Sequence, residues 1–136
     1  MNKPIAKPKP VPMVYACSGC SNVAQLANDI AVGFDREGFA EMGCLTGVCA
    51  EIAEHVQKVK GARRIIAIDG CPLNCTQKCL GRIGITPTWH FTLTQDQDQK
   101  SHADFETYDI ERVKGNIQTS VELQMEALAG ADGFYE

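Results

Sequence analysis

The chain has 136 residues, enough for one domain around one core, and its 44% hydrophobic and 7% aromatic content is that of a folded globular protein. A net charge of −4, with no Lys/Arg stripe outside the N-terminal tail, argues against a nucleic-acid partner, because phosphate contacts need clustered cations. No apolar run approaches the roughly 20 residues of a membrane span, so no membrane partner is expected.

Met1 to Pro12 alternates lysine with proline and lacks an apolar h-region, which predicts a flexible tail rather than a secretory signal. The expected compartment is therefore a reducing cytoplasm. There, seven cysteines point to metal or redox ligands rather than a disulfide framework, and an odd number cannot all pair within one chain.

Residues 13–136 form a single predicted domain. A short apolar strand over Met13 to Ala16 leads to Ser21 or Asn22, either of which can cap a helix. That helix has Val23, Leu26, Ala27, Ile30 and Phe34 on one face and stops at Gly38. The segment up to Cys44 can hold a short second strand. Thr46 is then a predicted cap for a helix with Val48, Ile52, Val56 and Val59 inward and Gly61 past its end.

Arg64 to Ile68 has the length and apolar continuity of a buried parallel strand. Asp69-Gly70 makes a turn, and Pro72 suits the first turn of a helix that carries Cys75 and Cys79 and ends near Gly81. Trp89, Phe91 and Leu93 alternate with polar residues as in a half-exposed strand. After a polar loop over Gln95 to Ala103, Ile110, Val113, Ile117, Val121, Met125 and Leu128 mark a last helix, with Gly130 beyond it. The order β-α-β-α-β-α-β-α predicts an α/β fold: three-layer, Rossmann-like or flavodoxin-like, with a mostly parallel sheet of about four strands.

Cysteines recur where these strands end. Parallel strands bring their carboxyl ends to one edge, where such folds build sites. Cys17 and Cys20 lie between the first strand and a helix N-terminus, where backbone N–H groups and the helix dipole are expected to favour thiolates. Cys71 stands at the Asp-Gly turn, and Cys75 lies one helical turn later. Cys44 follows the second strand, and Cys49 falls in the next helix as either a ligand or a packing residue. Cys79, deeper along its helix, is expected to be an inert buried thiol. Four thiolates can complete a tetrahedral zinc site or hold an iron–sulfur cluster.

The other polar residues are assigned lesser roles. His55 and His90 are predicted on polar surfaces, and His102 in a surface loop that shares the thiol edge. The Asp69 carboxylate is expected to shape its turn, and its charge beside thiolates would favour a bound cation. Two enzyme classes are excluded. A phosphatase or arsenate-reductase loop needs an arginine where Val23 stands, and the glycine spacing after the first strand does not fit a dinucleotide fingerprint.

Cys17-Ser-Gly-Cys20-Ser-Asn-Val, Cys44-Leu-Thr-Gly and Ile68-Asp-Gly-Cys71-Pro-Leu-Asn-Cys75 resemble the DGC domain family of zinc-binding proteins, over about Met13 to Phe105. The resemblance implies zinc held by Cys17, Cys44, Cys71 and Cys75; Cys20 and Cys49, additional to that pattern, are lesser candidates from their positions alone. Lys100 to Phe105 also resembles a lysine-rich family segment. Three functions follow. The first is a zinc protein for sensing, delivery or redox use. The second is an iron–sulfur electron-transfer or accessory protein that serves a partner redox or metalloprotein. The third is a thiol redox or sulfur-relay protein that uses Cys17 and Cys20.

Overall fold

Apolar runs flanked by turn residues become the strands of the computed structural model, which describes residues 10–61, 63–95, 101 and 103–132. These are β1 (Met13–Ala16), β2 (Glu41–Met42), β3 (Ile65–Asp69) and β4 (Trp89–Thr92), in one parallel sheet of order β2-β1-β3-β4. All residues of β1 and β3 are buried, as expected of central strands covered on both faces. The lysine–proline tail up to residue 9 and His102 lie outside the described residues.

Alternation along β1 and β3 divides the core in two. Val14, Ala16, Ile66 and Ile68 face α1 (Asn22–Glu37) and α5 (Thr107–Asp132). Met13, Tyr15, Ile65 and Ala67 face the layer of α2 (Leu45–Cys49), α3 (Ala53–Val59) and α4 (Cys75–Arg82). The fold is α/β, three-layer and Rossmann-like, with the strand order of flavodoxin-like sheets.

The caps of α1 form as expected. The Ser21 Oγ accepts from the Ala24 N–H at 3.2 Å, and Gly38 ends the helix in the left-handed region at φ 78°. The single helix expected over residues 46–60 is instead two. Glu51 takes a left-handed φ of 57° between α2 and α3, so the periodicity breaks there. Ile52, predicted inward, is consequently half exposed and precedes α3. Pro72 also lies before α4 rather than inside it, and α5 runs through Gly130 to Asp132.

The amino edge of the sheet is clamped by charge. The Glu41 carboxylate accepts hydrogen bonds from Lys58 and, at 2.8 Å, from Arg63, whose Nε also donates to the Val11 carbonyl at 2.9 Å. Those two cations, Lys58 first, hold the Glu41 carboxyl down at about 2. A depressed acid stabilises the fold above its ordinary value of 4.5, and that contribution fades as pH falls towards 2. Glu41→Gln should therefore cost about 1 kcal/mol at pH 7, partial exposure being discounted, and almost nothing at pH 2; urea unfolding at both pH values measures it.

Candidate functional site

The β1/β3 boundary is where the chain reverses its winding direction across the sheet, the point at which open α/β sheets leave a crevice at the carboxyl edge. Parallel pairing of Ala16 with Ile68 brings the segments after both strands side by side. The ladder runs one residue further, from the Cys17 N–H to the Ile68 carbonyl at 3.1 Å. The Gly70 N–H then donates to the Cys17 Sγ at 3.1 Å. A Cβ on Gly70 would lie 2.7 Å from the backbone carbonyl of Val23, so only glycine fits between the β3 turn and the start of α1.

Around this contact opens a hollow of about 420 Å³. Cys17, Cys20, Cys71 and Cys75 line it with free thiols. Cys20 sits just before the α1 cap, its turn braced by a 2.6 Å hydrogen bond from Gln25 Nε2 to the Gly19 carbonyl. Cys71 begins a turn closed by the Asn74 N–H on its carbonyl, and Cys75 opens α4. Asn74 takes a left-handed φ of 51°, an energetically tolerable conformation for asparagine, and its Oδ1 accepts from Thr92 Oγ1 at 2.8 Å.

Asn74 offers α4 no side-chain cap, and Asp69 supplies one from the end of β3. Its buried carboxylate accepts from the Thr76 N–H at 2.7 Å and the Gln77 N–H at 3.2 Å. The third partner is His90 Nε2 at 2.8 Å. This corrects one expectation: His90 is a partner of the site's buried acid rather than a plain surface residue. Strand register was the missing signal, since β3 and β4 align Ala67 with His90 and Asp69 with Thr92.

The Cys17 thiol also departs from expectation. Burial raises it, outweighing the lowering by the Gly70 N–H, and nearby Asp69, Cys75 and Cys71 raise it further, to about 11. It is a protonated thiol at neutral pH rather than a thiolate.

The remaining sulfurs are distributed differently. Cys44, not Thr46, caps α2: its Sγ accepts from the Gly47 N–H at 3.3 Å. Its exposed thiol is not among the residues that line the hollow. Cys49 and Cys79 line the hollow but are joined in a disulfide between α2 and α4, with Cα atoms 5.5 Å apart. Cys79 is thus not the inert thiol expected, and in this state the Cys49 sulfur is committed to it. His55 packs its ring against Gly47 and is not among the residues that line the hollow. Among the described residues, no three His, Cys, Asp or Glu side chains stand arranged to hold a metal ion. The donor chemistry, four free thiols in one hollow, nevertheless suits a thiophilic metal.

The sequence profile of the DGC domain matches residues 13–117, from β1 into α5. The chain belongs to the DGC domain family. A Pseudomonas aeruginosa protein named anaerobic and virulence modulator AnvM is 49% identical over 105 residues, which cover 76% of this chain and 80% of the relative. No solved structure matches the chain. The Asp-Gly-Cys triplet of the family name is Asp69-Gly70-Cys71, where the acid caps a helix, the glycine admits a backbone contact, and the cysteine lines the hollow. DGC membership fits a metal-binding role. Among the described residues, no helix is long and apolar enough to cross a membrane.

Two outcomes follow from this geometry. Gly70→Ala should destabilise the protein by about 2 kcal/mol, because backbone cannot give way, whereas Gly81→Ala in open space on α4 should stabilise by about 0.5–1 kcal/mol; chemical denaturation compares them. In metal-free protein at pH 8, timed iodoacetamide labelling with peptide mass mapping should modify exposed Cys20, Cys44 and Cys75 well before Cys17.

Proposed function

We propose that this protein binds zinc through cysteine thiolates at the β1/β3 carboxyl edge. The observation that carries the reading is the convergence of four free thiols on one hollow at the point where the sheet reverses direction. Cys17, Cys71 and Cys75 supply three thiolates. The fourth comes from Cys44, which the family pattern includes, or from Cys20, which lines the hollow. Zinc bound there would supply a redox-inert thiolate anchor that ties the loops after β1 and β3 together.

The protein's own residues prepare the loops for that role. Asp69 fixes the amino end of α4 and therefore the position of Cys75. Gly70 keeps the β3 turn against α1, and its N–H steers the Cys17 sulfur. Because the Cys17 thiol titrates near 11, ligation must release its proton, so zinc affinity should rise with pH across the neutral range.

A second reading, thiol–disulfide exchange, is favoured by one observation: the Cys49–Cys79 disulfide lines the same hollow as the free thiols. The name of the Pseudomonas relative, which cites anaerobic modulation, suits either thiol chemistry.

Elemental analysis and an absorbance spectrum of anaerobically purified protein test the proposal. About one zinc per chain in colourless protein is expected, reduced severalfold in Cys71→Ser together with thermal stability. Of Cys20→Ser and Cys44→Ser, the variant that loses zinc identifies the fourth ligand. Brown protein with iron and labile sulfide would replace zinc by an iron–sulfur cluster. Metal well below one per chain, with disulfide exchange lost in Cys20→Ser, would favour the redox reading.

A further inference from the structure

Cys49 and Cys79 stand outside the four-cysteine pattern of the family resemblance, yet both residues line the thiol hollow. Cys79 follows Cys75 by four residues on α4, so the two share a helix face. Neither member of the disulfide is fully buried, which leaves the bond open to attack from the hollow. The helices it joins are also docked by apolar packing. Val48 of α2 and Leu80 of α4 are fully buried in one cluster with Tyr15 and Ala67, an apolar contact made without the sulfurs.

We propose that Cys49 and Cys79 are a second pair of ligands for a thiophilic cation, masked by their own disulfide and released into the hollow by a dithiol reductant. The inference rests on the metal-binding reading and adds regulation to it. With the disulfide closed, the hollow presents four thiols; with it open, six. Unmasking is an ordinary exchange. A thiolate of the dithiol attacks one sulfur of the Cys49–Cys79 bond and displaces the other as a thiolate. The second thiol of the reagent then resolves the mixed disulfide. Two electrons and two protons pass to the protein, its S–S bond breaks, and one forms in the reagent. Cys49 and Cys79 leave as thiols, available to a soft cation that prefers sulfur over oxygen or nitrogen.

Cadmium serves as the probe, because its sulfur-to-metal charge-transfer band grows with the number of thiolates bound. Metal-free protein is oxidised with glutathione disulfide, and half is then reduced with dithiothreitol and desalted without oxygen. Free thiols should rise from five to seven. Saturating cadmium absorbance should rise about 1.5-fold, from four hollow thiols to six. Cys49→Ser/Cys79→Ser should stay at the oxidised level under both treatments, and the wild-type comparison stands without it if that variant fails to fold. Equal cadmium binding in both oxidation states would overturn the masked pair and leave the metal-binding reading intact. Failure of glutathione disulfide to remove two thiols would overturn the masking. Absence of cadmium and zinc binding in either state would overturn the metal-binding reading and this inference with it.

Discussion

Gly70 passes so close to the carbonyl of Val23 that a methyl group cannot stand between the β3 turn and α1. Much of the site's geometry depends on this backbone contact. It brings the Gly70 N–H onto the Cys17 sulfur and keeps the segments after β1 and β3 against one another. It also sets Asp69 at the end of the sheet, where its carboxylate meets the free N–H groups of α4. Sheet, helix and thiol are thus positioned by two consecutive residues, one with no side chain and one with a buried charge.

Buried charge is costly unless it is hydrogen-bonded and paired. Asp69 meets that demand with two helix N–H groups and His90. These bonds fix the start of α4, the helix that Cys75 opens. The surrounding sulfurs differ in kind: Cys17 is shielded and protonated, Cys20 and Cys75 are exposed, and Cys49 and Cys79 are bonded. One hollow thus gathers shielded, exposed and bonded sulfur side by side.

Periodicity and turn residues make much of the fold legible in the sequence. Val23 to Phe34 marked α1, Ser21 and Gly38 its ends, and Arg64 to Ile68 the central strand found at Ile65–Asp69, because burial on two faces writes itself into local composition. What escaped depended on long-range geometry or on a single dihedral angle. Val48, Ile52, Val56 and Val59 keep helical spacing across a break that lies only in the backbone of Glu51. The Asp69–His90 pair follows from the β3–β4 register, and the Cys49–Cys79 bond from the docking of α2 on α4. Burial of Cys17 likewise depends on the packing around it, so its acidity ran opposite to the expectation from a helix N-terminus.

The Glu41 clamp lies at the other end of the same strands, with Lys58 and Arg63 gathered on one carboxylate. Its chemistry is that of proton and salt, while the opposite edge carries free and bonded sulfurs. Acid loosens the first pole and oxidants act on the second, with the apolar sheet between them. The molecule is chemically bipolar: an ion-paired carboxylate closes one end of its strands, and free and bonded sulfurs line the other.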